Sequence, residues 1–261
     1  MQREKRIKTI ILAGGRGTRL SEETDIKPKP MVEIGGYPIL WHIMKTYSYY
    51  NANEFVVALG YKGEVIKEYF LRYNDYSTDL SVDLGSDNID RLNSHDDNWI
   101  VHLLDTGINT ETGGRIKRAM EFIGKERVMC TYGDGVSSVE IDSVLKFHEQ
   151  HGKLATLTAV HPTSRFGALI LDGEQVIEFS EKPQVGEGWI NGGFFVFEPE
   201  VREYIEGDSM PFELLPLEKL ASEGQLMAYK HFGYWQPMDT IREKDMLNNL
   251  WESGKVPWKI W

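Results

Sequence analysis

The stretch Thr9-Ile10-Ile11-Leu12-Ala13-Gly14-Gly15-Arg16-Gly17-Thr18-Arg19-Leu20 decides how this chain is read. A short apolar run passes directly into glycines, the pattern of a buried parallel strand handing over to a loop. The glycines leave several backbone N–H groups with no Cβ in the way, which is what a main-chain cradle for phosphate oxygens requires. Arg19 adds a planar donor beside them and Arg16 a second. No Gly-Lys-Ser/Thr closes the turn, which excludes a Walker A loop. Leu20 stands where a dinucleotide fingerprint needs its third glycine, and no acidic residue ends a second strand at the required distance. Alone, the turn stays open between a phosphate cradle and a tight strand-to-loop connection.

Outward from this turn, Pro38 to Tyr50 predicts a helix with Ile39, Ile43 and Tyr47 on one face and Pro38 in its first turn. Phe55 to Leu59 reads as a second buried strand and Glu64 to Leu71 as a helix. Ile100 to Leu104, Gly114 to Phe122, Val128 to Tyr132 and Val139 to His151 continue the alternation of strand and helix. Alternation of this kind builds βαβ units on a mostly parallel sheet. After Lys153 the texture changes to strands at Leu154 to Val160, Ala168 to Leu171, Gln175 to Phe179 and Phe194 to Phe197, with a hairpin signal at Asp172-Gly173. Helices at Phe212 to Ser222 and Ile241 to Trp251 flank a strand at Leu226 to Tyr229.

The expected fold is α/β, a Rossmann-like mixed, mostly parallel sheet flanked by helices, with a mixed-sheet half added. One composite domain is expected, with halves at about 1–152 and 153–261. Arg72 to Asn98, rich in Asp, Asn and Ser, reads as a surface excursion with a short edge strand near Asp79 to Leu84; lid, oligomer contact and decoration stay open for it. The tail from Gly254 to Trp261 carries two of the seven tryptophans, which suits docking onto the domain or onto a neighbouring subunit.

The 261 residues suffice for a large core, and 41% hydrophobic with 26% charged residues is ordinary for a soluble domain. A net charge of −11 offers nothing to nucleic acid or an anionic membrane, so an anionic ligand must be met by local cations, metal and backbone N–H groups. Cys130 is the only cysteine and fits a reducing compartment. The charged amino-terminal residues and the lack of a membrane-length apolar run predict a cytoplasmic protein.

Further candidates lie at predicted strand ends. Lys27-Pro28-Lys29-Pro30-Met31 sets two lysines on an extended segment, suited to phosphate or to a solvated basic loop. Gly133-Asp134-Gly135 follows the Val128 to Tyr132 strand, at the edge where open α/β sheets bind ligands. Its carboxylate is accessible to a hard cation, and Asp239 is a second candidate; Mg²⁺ takes one or two carboxylates and completes its shell with phosphate and water. A turn role for Asp134 and a helix cap for Asp239 are the alternatives. Glu181-Lys182 at another strand end is equally readable as a surface ion pair. The seven histidines are scattered without Cys or carboxylate at ligand spacing, against a zinc site or a nucleophilic triad.

Leu12 to Leu20 followed by Lys29-Pro30 resembles the opening signature of the sugar-phosphate nucleotidylyltransferase family, the NDP-sugar pyrophosphorylases. The resemblance runs over nearly the whole chain. Pro38 to Met44, Thr131 to Val136 and Trp235 to Thr240 resemble its cytidylyl-transferring branch. That branch shares Ser21-Glu22-Glu23-Thr24 where many members carry Pro-Leu-Thr.

The resemblance implies a nucleotide half and a sugar-binding half. Leu12, Ala13, Gly14, Gly15, Gly17, Thr18, Arg19, Lys29, Thr110, Gly114, Arg115 and Gly133 would contact the nucleotide. Gly167, Glu181, Lys182, Asn191 and Gly192 would hold the sugar phosphate, with Arg165-Phe166-Gly167 closing over the hexose. Asp134 and Asp239 would bind Mg²⁺, and Arg19, Lys29 and Asp134 would serve catalysis. It further implies CTP and glucose 1-phosphate as substrates, CDP-glucose and pyrophosphate as products, use in deoxysugar and polysaccharide synthesis, and a homo-oligomer, a hexamer in this branch. Uridylyl or guanylyl transfer, and a nucleotide sensor without turnover, are the alternatives.

Overall fold

Strand β1 (Lys8–Ala13) lies inside an eight-stranded sheet in the computed structural model, which describes residues 7–93, 97–162, 168–172, 175–180 and 188–261. The other elements that build its layers are α1 (Ile39–Tyr49), β2 (Glu54–Leu59), α2 (Gly63–Leu71), β3 (Ile100–Asp105), α3 (Thr112–Ile123), β4 (Val128–Tyr132), β5 (Gly135–Ser137), α4 (Ile141–His151) and β6 (Ala155–Val160). They continue with β7 (Ile190–Asn191), β8 (Phe195–Phe197), α5 (Leu215–Ser222), β9 (Leu226–His231), β10 (Trp235–Pro237) and α6 (Ile241–Glu252).

Across the sheet the order is β9, β6, then β7 and β8 on one edge of β6, then β4, β1, β2 and β3. β1 pairs in parallel with both β2 and β4, and β2 with β3. Only β7 and β8 run against their neighbours, so the carboxyl ends of β1, β2, β3, β4, β6 and β9 share one edge.

Alternation along the strands explains the layering. Ile11, Phe55, Val57, Met129 and Val196 face α1, α2, α4 and α6, whereas Ile10, Val56, Val128, Cys130, Phe195 and Phe197 face α3 and α5. Each face is apolar because helices cover both, the condition for a parallel sheet. Each fully buried Ile, Val or Phe contributes roughly 1.5–3 kcal/mol of transfer free energy.

Two regions depart from the sequence reading. The excursion folds into a free hairpin, Asp79–Asp83 with Asn88–Leu92, rather than an edge strand of the main sheet. The helix expected from Phe212 starts only at Leu215, because Phe212 is drawn into the core beside Phe195 and Phe197.

Of the two placements open for the tryptophan-rich tail, the structure takes the domain itself. Trp258 is fully buried, and its Nε1–H donates to His42 Nδ1 at 3.4 Å while His42 Nε2 meets the Ile34 carbonyl at 2.9 Å. Both ring nitrogens are satisfied by a neutral imidazole protonated on Nε2. Burial, aided by the Lys259 charge and opposed by the Ile34 carbonyl, lowers the His42 pKa to about 4. Burial does the same to His148, against Glu198, again to about 4. A histidine whose folded pKa lies below its unfolded value of about 6.5 leaves stability intact above that value and drains it as pH falls toward the folded one. Denaturant titrations are therefore expected to show a loss of about 3 kcal/mol per histidine between pH 7 and 4. His42→Gln should flatten that slope relative to wild type; an unchanged slope would contradict the assignment.

Candidate active site

The glycine turn at the end of β1 forms one wall of a cleft of about 630 Å³ that lies along the carboxyl edge of the sheet. Its three glycines serve three different physical needs. The Gly14 carbonyl accepts from Tyr61 N–H at 3.1 Å and from Arg115 Nη2 at 3.1 Å. The same guanidinium donates to the carbonyls of Leu59 (2.9 Å) and Gly107 (2.8 Å) and to the Thr106 hydroxyl (2.7 Å). A Cβ at position 14 would stand 2.1 Å from that guanidinium, so glycine here leaves room for the buried Arg115 packed against the turn. A Cβ at Gly15 would meet nothing within 4 Å, leaving backbone open toward the cleft. Gly17 has φ +61°, the left-handed conformation that glycine adopts at no cost, and its carbonyl accepts from Leu20 N–H at 2.9 Å. Thr18 and Arg19 enter the single helical turn Thr18–Leu20.

Lys29 sits in a second one-turn helix, Lys29–Met31, with Pro28 extended before it. The prolines thus permit one 3₁₀ turn where extended chain was expected, because Pro30 falls in its first positions. Lys27 turns away to Glu33 at the surface (2.9 Å), so of the two lysines only Lys29 enters the cleft. Its Nζ lies 2.7 Å from Asp134 Oδ2 and 2.5 Å from Asp239 Oδ1.

The paired strands β5 and β10 bring the two carboxylates together, with Gly135 opposite Pro237 and the Asp134 carbonyl accepting from Met238 N–H at 2.8 Å. Thr240 and Glu243 form the capping box of α6, so the cap expected as an alternative role for Asp239 is filled by its neighbour. Burial works against the charge of Lys29, but ion pairing and hydrogen bonds to Asp134 and Asp239 outweigh it and raise its pKa. The ammonium therefore stands as a cation between two carboxylates that approach from different strands. That donor set fits a hard divalent ion of the kind that takes one or two carboxylates and leaves its other positions to phosphate and water.

Leu12, Ala13, Gly14, Gly15, Gly17, Thr18, Lys29, Thr110, Arg115, Gly133, Asp134, Asn191 and Asp239 all line this one cleft. Gly133 donates its N–H to the Leu12 carbonyl at 3.0 Å, and a Cβ there would stand 2.6 Å from that oxygen. Gly114 lies behind the wall, where a Cβ would press 2.6 Å from Asp208 Cα; it lets the start of α3 pack on the segment before α5. Gly192 is also away from the lining, packed on Val160, with its carbonyl accepting from Trp235 Nε1 at 2.8 Å. After it, Gly193 (φ +78°) and Phe194 (φ +49°) kink the chain between β7 and β8 and leave Asn191 at the cleft.

The side chain of Arg19, and residues Gly167, Glu181 and Lys182, lie outside the described residues, as do Arg165 and Phe166. Pro30, Glu111, Thr112, Tyr132, Trp235 and Pro237 line the cleft without having been assigned a role from the sequence. Tyr132 and Trp235 could have been found there, since each stands within four residues of a candidate carboxylate.

A glycine turn, a buried lysine and two converging carboxylates meet at the edge of this sheet where open α/β sheets bind ligands. Residues 8–240 match the Nucleotidyl transferase family model, and the chain belongs to that family. It is 51% identical over 256 residues to a glucose-1-phosphate cytidylyltransferase of Salmonella typhi, covering 98% of this chain and all of that protein. A probable glucose-1-phosphate cytidylyltransferase of Bacillus subtilis is 43% identical, with 98% and 100% covered. The apo structure of a UDP-glucose pyrophosphorylase superposes with a TM-score of 0.68 at 14% identity, covering 96% of this chain and 100% of that one. A putative glucose-1-phosphate thymidylyltransferase from Bacillus anthracis gives 0.62 at 21%, covering 94% of each chain, which shows a shared fold.

Proposed function

We propose that the chain transfers a cytidylyl group from CTP to α-D-glucose 1-phosphate, releasing CDP-glucose and pyrophosphate. The observation that carries this reading is Lys29 held at 2.7 and 2.5 Å between Asp134 and Asp239 in the cleft of the glycine turn. Full-length identity to cytidylyltransferases supports the choice of base and sugar.

A phosphate oxygen of glucose 1-phosphate attacks the α-phosphorus of CTP as the bond to the departing pyrophosphate breaks. No protein nucleophile is needed, because the work is positioning and charge stabilisation. The open backbone at Gly15, with Gly17 and Thr18, receives phosphate oxygens, and the Lys29 ammonium, kept charged by its surroundings, offsets developing negative charge. Asp134 and Asp239 would hold Mg²⁺, which when bound neutralises phosphate charge and orients the triphosphate. Arg19 would add a guanidinium to the phosphates, as the family resemblance implies. Main chain from Leu12 to Gly14 and Thr110 faces the base, while Arg115 braces the turn through the Gly14 carbonyl. Asn191, with Gly167, Glu181 and Lys182, would bind the sugar phosphate, with Gly192 shaping the turn behind Asn191, and the domain would divide into halves near residue 152.

Pyrophosphate release with CTP, UTP, GTP and ATP, each against glucose 1-phosphate and mannose 1-phosphate, tests the assignment. The highest kcat/KM is expected for CTP with glucose 1-phosphate; a preference for another pair would reassign the substrates.

The product suits deoxysugar and polysaccharide synthesis in the cytoplasm, and no helix among the described residues is long and apolar enough to cross a membrane. The Asp79–Leu92 hairpin supports a homo-oligomer, hexameric as in the branch it resembles. Leu80, Val82 and Ile89 share one exposed face, interrupted by Arg91, and Asp79, Ser81, Asp83, Asn88, Asp90 and Leu92 fall on the other. An isolated two-stranded ribbon with an apolar face is marginal without cover. Light scattering is expected to give a multiple of 30.0 kDa, and a monomeric mass would refute it.

A further inference from the structure

Behind the cleft wall, one carboxylate receives hydrogen bonds from both sides of the site. Tyr132 OH donates to Glu213 Oε1 at 2.8 Å, and Thr112 Oγ1 donates to Glu213 Oε2 at 2.5 Å. Tyr132 and Thr112 both line the cleft; Glu213 does not. The chain continues at each end. Asn191 Nδ2 donates to Tyr132 OH at 3.2 Å, Gly193 N–H donates to Asn191 Oδ1 at 2.9 Å, and Phe212 N–H donates to Thr112 Oγ1 at 2.8 Å.

An ionised carboxylate can only accept, and this fixes the direction of every bond in the chain. The Tyr132 proton must point to Glu213, which leaves the phenol oxygen to accept from Asn191. With its Oδ1 tied to Gly193, the Asn191 amide is set with its NH₂ toward Tyr132, and both residues line the cleft. The Thr112 proton is likewise spent on Glu213, and its lone pair on Phe212. Burial, then the Glu213 charge, raises the Tyr132 pKa, so the phenol stays protonated and keeps donating.

We infer that Glu213 is a positioning residue that sets the hydrogen-bond polarity of the cleft wall, so that Asn191 presents an amide donor to an oxygen of the sugar phosphate. The inference rests on the transferase reading of this cleft. It ties the sugar-phosphate side, through Tyr132 and Asn191, to the nucleotide side at the start of α3, through Thr112.

Glu213→Gln replaces one acceptor by a donor at nearly constant shape, so Tyr132 or Thr112 must reverse; a reversed Tyr132 no longer accepts from Asn191 Nδ2, and the amide is then held only through Gly193. KM for glucose 1-phosphate is expected to rise about 10-fold with kcat changed no more than about 2-fold, the signature of lost binding rather than lost chemistry. Tyr132→Phe breaks the next link and should reproduce the effect. The double variant should be no worse than either single one, because links of one chain do not add. Equal losses in kcat and KM for both substrates, or additive effects, would reduce Glu213 to a structural role and overturn the inference.

If the wild type prefers another nucleotide or sugar phosphate, the same split is read with that pair, and only the substrate assignment falls. Unfolding midpoints of the three variants give a reading without substrate: a non-additive double variant is expected, and additive losses would overturn the network.

Discussion

Lys29→Met is expected to lower kcat by about 100- to 1,000-fold while the protein stays folded, the scale found when one charge-stabilising donor is removed from a transition state. Methionine keeps most of the length and apolar volume of the lysine stem and removes only the cation. In the resting cleft the ammonium bridges Asp134 and Asp239 at 2.7 and 2.5 Å, but their side chains are 36% and 29% exposed, so water can solvate them when it is gone. Lys29 itself is only 10% exposed, so the melting temperature should fall, though by less than for a fully buried pair because both carboxylates reach water. In the proposed reaction the same charge would face phosphate oxygens whose negative charge grows as pyrophosphate departs. Its loss should therefore appear in kcat more than in KM. Steady-state kinetics at saturating substrates, with a thermal melt of the same sample, separates the two effects. Turnover within a few-fold of wild type would remove Lys29 from the chemistry.

Asp134→Asn is expected to cost more, about 1,000-fold or greater, because one neutral amide replaces one of two carboxylates proposed to hold the divalent ion. The substitution preserves shape, and the strand pairing that positions residue 134 runs through its main chain, whose carbonyl accepts from Met238 N–H at 2.8 Å. Lys29 also keeps its 2.5 Å contact with Asp239, so the fold should survive. The distinguishing observation is metal dependence. Wild-type activity should vanish on chelation and return with added Mg²⁺, whereas the variant should respond weakly and only at far higher metal concentration. Normal activation of Asp134→Asn by Mg²⁺ would place the ion elsewhere.

Residues that act through their own type and local spacing were legible in the sequence. Ile10 and Ile11 behave as a buried strand must, because a parallel sheet covered on both faces leaves no position for polarity. Asp134 could be placed at a strand end from the run Val128 to Tyr132 alone. Thr240 and Glu243 carry a capping box that the chain spells out, and reading it would have released Asp239 from a capping role at once.

What the sequence concealed depends on partners far away in the chain. Gly14 looks like a glycine kept for a ligand, yet its missing Cβ makes room for Arg115, 101 residues later. Lys27 and Lys29 are equivalent as letters; their separation into surface and cleft follows from which neighbour, Glu33 or Asp134, each side chain meets. Glu213 had no local signal at all. Its role arises only when Thr112 and Tyr132 arrive beside it from α3 and β4.

The glycine turn and the Asp134–Lys29–Asp239 cluster are proposed to form one site joining a nucleotide to a sugar phosphate. The most direct test follows CTP, glucose 1-phosphate and Mg²⁺ with the purified protein by phosphorus NMR. The expected result is the two coupled diphosphate resonances of CDP-glucose, one pyrophosphate per product formed, and no change when glucose 1-phosphate is withheld. Release of pyrophosphate from CTP without glucose 1-phosphate, or CTP left intact while both substrates are present, would contradict it.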